Sequence, residues 1–217
     1  MTAAILVAMV AGTELLRWVR PDRARLIASA AWLVAAIVAA GLTGAVGAWG
    51  AAALGLGSAA WLVLRWRFAA DLAMAALVIV VGLLVVIDGE PDRVAAVIAG
   101  IGAVVLLAHT SNDVCRDVIA RARTAPDDGP PPAPEPRPHL RGGRFIGPLE
   151  RWLIAALALV GAEGVVVGLM AAKGIGRFPE ISGDRGRGST AEEFLVGSLV
   201  SWALAGAAAL LIAVLRP

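Results

Sequence analysis

The sequence predicts an all-α protein, a polytopic transmembrane bundle of about seven helices with its N-terminus outside and its C-terminus in the cytoplasm. Three observations lead there. Of 217 residues, 59% are hydrophobic and only 17% charged, and the mean hydropathy is +0.80, whereas a soluble domain carries roughly 45–50% apolar and about 25% charged residues. Apolar runs recur along most of the chain. Arginine clusters lie beside those runs rather than within them. More apolar surface is present than a soluble core of this length hides, so a water-soluble enzyme, a disordered chain and a disulfide scaffold are excluded.

A helix needs roughly 20 apolar residues to cross about 30 Å of hydrocarbon. Seven runs qualify as candidates: Thr2–Trp18, Leu26–Gly47, Ala51–Leu64, Phe68–Ile87, Val94–His109, Trp152–Ala172 and Phe194–Leu215. The first lacks the positive start of a signal peptide, since Arg17 and Arg20 follow its apolar run, and is expected to remain as a span. The third is short and glycine-rich, which suits a re-entrant or tightly packed element. Gly41, Gly44, Gly47, Gly50, Gly55 and Gly57 bracket the turn before it, as a close helical hairpin would require. Seven prolines between Thr124 and Leu140 exclude helix there. The expected organisation is therefore a five-helix unit over 1–123, a cytoplasmic linker over 124–141 and a two-helix hairpin over 142–217.

Orientation follows the distribution of basic residues. Fourteen of the nineteen fall on one side of the seven-span scheme, and five (Arg93, Lys173, Arg177, Arg185 and Arg187) on the other. The majority side is expected to face the cytoplasm, placing the chain as a multi-pass protein of the cytoplasmic membrane. Four of the five exceptions crowd into one external loop, which is the discordant feature of the scheme. Trp18, Trp66 and Trp152 at inner boundaries and Trp49 at an outer one suit an aromatic belt. The net charge of +2 and the pI of about 9.4 come from arginines beside apolar runs, so nucleic acid is not an indicated partner. The bilayer is, with anionic lipid at the cytoplasmic face. Residues Asp113–Arg123 mix Val114, Val118 and Ile119 with Arg116, Arg121 and Arg123, as an amphipathic helix resting on such lipid would. A membrane-protein partner or a second copy is the other partner class.

Among polar residues, Glu163 stands out as the candidate intramembrane site. Eleven residues past Trp152, it would lie about 16 Å into a continuous span, where an acid faces protein or water and relays protons, contacts a polar substrate group or serves as a neutral hydrogen-bond donor. Glu14 with Arg17 at i+3 suits an anchoring pair. Glu150 and Arg151, after Pro148 as a first helical residue, suit a helix start. Ser189 and Thr190 before Glu192 and Glu193 form a capping signature. The single Cys115 makes no internal disulfide. No catalytic, cofactor or metal site emerges. The glycine-rich run Gly183–Thr190 has Ser189 where a P-loop needs lysine, and His109, Asp113 and Asp117 share a helical face without further ligands.

The runs Gly142–Arg151, Ala171–Glu180 and Ala191–Ser201 resemble a module in a family of uncharacterised bacterial polytopic membrane proteins. The resemblance covers residues 142–201. It implies a membrane protein and supplies no reaction, and members typically carry a glutamine where this chain has Ala162 and Glu163. It also focuses attention on Lys173, Arg177, Glu192 and Glu193, expected to form an ion-pair cluster at the outer end of the last hairpin. The function classes considered are a transport or translocation component, a structural partner in a membrane assembly, and a membrane-embedded lipid-modifying enzyme.

Overall fold

The computed structural model describes residues 1–19, 24–88, 91–124, 143–182 and 189–217. The expected proline-rich linker and the P-loop-like run Gly183–Arg187 lie outside these residues. Among the described residues the architecture is all-helical: α1 (Thr2–Val19), α2 (Ala24–Leu42), α3 (Ala48–Arg67), α4 (Ala70–Asp88), α5 (Arg93–Ala108), α6 (Thr110–Thr124), α7 (Gly143–Leu159), α8 (Glu163–Ser182) and α9 (Ser189–Leu215).

α1 is the hub. Its small and branched residues Ala3, Ala4, Leu6, Val7, Val10 and Ala11 are buried, and α2, α3, α4 and α5 pack around it. The closest approach is to α5, because Gly102 offers no side chain: a Cβ there would stand 2.8 Å from Val7 Cγ1 and 3.1 Å from the Ala8 amide nitrogen. Gly12 likewise admits the Trp32 indole, whose Nε1–H donates to the Met9 carbonyl at 3.0 Å. The outer faces are apolar as well: Ile27 is 74% exposed, Leu42 84% and Trp49 91%. Outward apolar residues around a packed interior are what a hydrocarbon solvent selects.

Among the described residues, three helices are long and apolar enough to cross a membrane: Ala48–Arg67, Ala70–Ile87 and Ala191–Leu215. A fourth crossing arises if Arg93–Ala108 and Thr110–Ala122, bent by 47°, form one broken span. That is fewer than the seven expected. α3 is not the short element its glycines suggested, but a full 20-residue helix. Gly50 and Gly57 face Thr2 and Leu6 of α1, so these two serve contact with the hub.

Two turns explain where the expected boundaries fail. Gly44 (φ +68°) follows α2 and Gly161 (φ +73°) follows α7. At the second, the Gly161 amide donates to the Ala158 carbonyl and the Ala162 amide to that of Leu157. This pair of bonds is the Schellman stop, which needs a left-handed residue and so favours glycine. α8 starts at Glu163, an acid favoured by the positive end of a helix. The expected span Trp152–Ala172 is thus two helices folded back on one another. Pro148, expected as a first helical residue, lies inside α7, because the helix begins at Gly143.

The turn-back also moves the chain ends. Leu215 packs with Ala4, Ala95 and Met1, and its carbonyl accepts from the Asp92 amide at 2.9 Å. The starts of α1 and α5 and the end of α9 therefore share one end of the bundle, where the seven-helix scheme put the termini at opposite ends.

Candidate functional site

The polar side chains gather at the other end, in two clusters on either side of the α5–α6 bend. In the first, Glu14 of α1 and Arg65 of α3 are both buried and joined by two bonds, Nε to Oε1 at 3.2 Å and Nη2 to Oε2 at 3.4 Å. Arg65 also donates to Asp113 of α6. The expected Glu14–Arg17 pair is present, more distant at 3.7 Å. Its stronger partner comes from 51 residues on, which no local spacing announces.

Ionic contacts hold α6 along its length. Asp117 Oδ2 accepts the Ala70 amide at 2.7 Å and caps α4, while Arg121 meets Asp71 at 2.6 Å. Asp113 and Asp117, weighed above as metal ligands with His109, are thus occupied by a guanidinium and a helix N-terminus. Among the described residues no three potential ligands converge. Nor is the apolar side of α6 free for lipid: Val114 is buried in the core with Val118 packed against it, and Ile119 Cδ1 lies 3.1 Å from where a Cβ on Gly197 would stand. α9 has taken the face that the sequence offered to a bilayer surface.

The second cluster brings α5, α6, α7, α8 and α9 together. A bend at His109 leaves the last carbonyls of α5 without the bonds a continuing helix would give. Other groups take them: Ser111 Oγ donates to Leu106 O at 3.0 Å and Arg151 Nε to Leu107 O at 2.7 Å, while Trp152 Nε1 adds a bond to Val104 O one turn earlier at 3.0 Å. Arg151, 2% exposed, continues through Nη2 to Asn112 Oδ1 at 2.5 Å and through Nη1 to Ser201 Oγ at 3.1 Å. A cation suits the negative end of α5. Gly147, one turn earlier on α7, leaves room for it, since a Cβ there would meet Arg151 Nη1 and Asn112 Oδ1 at 3.4 Å.

Beside it, Lys173 Nζ lies 2.6 Å from Glu150 Oε2, and Trp202 Nε1 donates to Glu150 Oε1 at 2.9 Å. The ammonium also stands over the rings of Phe194 and Trp202, 5.9 and 5.6 Å from their centroids, within cation–π range. A continuous helix would hold Glu150 and Lys173 about 34 Å apart; the stop at Gly161 brings them into contact.

The expected site residues therefore redistribute. Glu163 is exposed in the first turn of α8, not midway along a continuous helix, because the helix carrying it begins there. Lys173 pairs with Glu150, not with Glu192 or Glu193, since α8 has carried it back to the Glu150 end. Glu192 is exposed in the first turn of α9. The side chains of Arg177, Ser189 and Thr190 lie outside the described residues. Glu150 and Arg151, expected as a helix start, are instead the residues around which the second cluster is built. Sequence reasoning missed Asn112, Ser201 and Trp202; none differs in pattern from many other polar or aromatic residues here. Comparisons with family models, curated proteins and solved structures bring no match.

Proposed function

We propose that this chain is a multi-pass protein of the cytoplasmic membrane, oriented with its Arg65 end inside, that moves protons or a proton-coupled solute through the Glu150–Lys173 site. One observation carries the reading: a bent helix (α5–α6) and a turned-back helix pair (α7–α8) converge on a carboxylate, an ammonium and a guanidinium held among apolar helices. Discontinuous membrane helices place backbone ends and charges where a coupling ion or substrate binds, and ionisable residues at such depth mark ion paths.

Orientation gains support from the turn-back. Among the described residues, every basic residue except Arg93 and Arg216 lies on a helix at or toward the Arg65 end. Lys173, one of the expected exceptions, lies at that end beside Glu150, in keeping with the positive-inside pattern. The resemblance of residues 142–201 to polytopic bacterial membrane proteins agrees with this placement, as do the apolar helices.

In this reading Glu150 carries the transferred proton. Ionised, it holds Lys173 and the Trp202 indole N–H; protonated, it gives up its attraction for Lys173, whose long stem lets the ammonium move toward water. Binding and release of one proton would thereby be coupled to the seating of α8 on α7. Proteoliposomes carrying an imposed pH gradient, read with a trapped dye, test this. The parent is expected to dissipate the gradient, Glu150→Gln to slow it at least tenfold and Glu163→Gln to leave it unchanged. A parent without flux, or a Glu150→Gln protein as fast as the parent, overturns the reading.

A further inference from the structure

A groove of about 250 Å³ runs between α4 and α9, with α1 and α5 as its floor. Its floor residues Val7, Leu106 and Leu107 are buried, and its lips, Gly82 and Leu210 among them, are exposed. Ser111 contributes its one polar lining side chain, and that hydroxyl is spent on the Leu106 carbonyl. A smaller apolar cavity of about 150 Å³ stays dry and takes up a hydrocarbon such as benzene. A groove of this size between two membrane-length apolar helices therefore accepts a segment of alkyl chain.

One end of the groove is not neutral. Leu107 lines it with its side chain while its carbonyl holds Arg151 Nε. Ser111 lines it, and the next residue, Asn112, holds Nη2. Leu204 lines it, and Ser201, one turn earlier on α9, holds Nη1. The wall closing the groove is thus also the cradle of a buried guanidinium. All three of its acceptors are uncharged, and among the described residues no carboxylate lies within ion-pair distance of it. Glu150, the neighbouring acid, is engaged by Lys173 and Trp202. Three of the five N–H groups of a guanidinium are thereby used, and among the described residues no carboxylate pairs with it directly, Glu150 acting on it only through space. In a low-dielectric interior such a charge acts over several ångströms with little screening.

We propose that the α4–α9 groove is a binding site for one acyl chain of an anionic phospholipid of the surrounding bilayer, with the phosphate at the Leu107–Ser111 end in the field of Arg151. The apolar groove selects the chain, and a guanidinium bonded only to uncharged acceptors selects the head. This inference concerns lipid retention and stands apart from proton movement at Glu150, so either can fail without the other.

Native mass spectrometry of the full-length protein, released from detergent with phosphatidylglycerol or phosphatidylcholine of identical chains, tests it. The parent is expected to retain phosphatidylglycerol about fivefold better, the scale of one basic side chain acting on an anionic lipid. Gly82→Leu with Ala208→Leu, which fills the groove, is expected to lower retention of both lipids at least fivefold. Arg151→Gln is expected to equalise the two lipids while keeping the phosphatidylcholine level. Equal retention by the parent overturns the headgroup assignment. Undiminished retention by the filled groove overturns the site, leaving lipid bound only around the outer surface. Should Arg151→Gln fail to fold, the comparison of lipids on the parent and the groove-filling variant decide the matter.

Discussion

At the residue scale, three glycines should respond differently to substitution. Gly161 sits at φ +73°, where a side chain costs roughly 1–2 kcal/mol, so Gly161→Val is expected to loosen the α7–α8 turn. Gly102→Ala drives a methyl against α1, 2.8 Å from Val7 Cγ1 and 3.1 Å from its backbone, and overpacking of this kind costs about 1–3 kcal/mol. Gly164 has open space around it, so Gly164→Ala is expected to be neutral or to stabilise by up to about 1 kcal/mol through helix propensity. Unfolding of the three variants in mixed micelles, followed by circular dichroism, ranks them; a Gly161→Val protein as stable as the parent would contradict the turn. Gly161 was legible in the sequence, being a glycine two residues before an acid, the marks of one helix ending and another starting. It was overlooked because the run around it is apolar enough to read as a single span. Arg151 was not legible in the same sense: its burial depends on carbonyls freed at a bend 44 residues earlier, and no local pattern encodes that.

At the element scale, α6 is the instructive case. Its mixed apolar and basic faces were plain in the sequence, and a helix does form there. Its partner was not plain, because lipid headgroups and the flank of another helix select the same pattern. Residues on three other helices decide the matter: Arg65 holds Asp113, Asp71 holds Arg121 and Gly197 makes room for Ile119. Arg65 also satisfies Glu14, and both side chains are almost fully buried, so Arg65→Gln leaves a buried acid poorly paired. Loss of one partner of a buried pair costs about 3–5 kcal/mol. Arg116, whose side chain is 74% exposed in its contact with Asp113, should matter by less than about 1 kcal/mol when changed to Gln. The same micelle unfolding measurement separates the two, and equal effects would show that α6 is not anchored through Arg65.

At the scale of the whole molecule, composition announced the helical class and the apolar exterior, and both are present. The number of crossings and the relative position of the termini were not legible, since both turn on whether one apolar stretch is straight or doubled back. With Leu215 packed against Met1 and Ala4, the proposed placement of the Arg65 end inside puts both ends of the chain outward. In a Cys115→Ala background, single cysteines at Thr2 and Pro217 are expected to react with a membrane-impermeant maleimide on intact cells, and one at Arg116 only after permeabilisation. Opposite accessibility of Thr2 and Pro217 would restore the odd-numbered topology.

The packing of Leu215 against the first turn of α1 carries a consequence for connectivity. A short peptide joining residue 217 to residue 1 would close the polypeptide into a ring with little rearrangement of the helices it links. New ends could then be opened within 125–142, separating the same two blocks of sequence in reversed order. A chain reordered in this way, with α9 made before α1, is expected to form the same bundle.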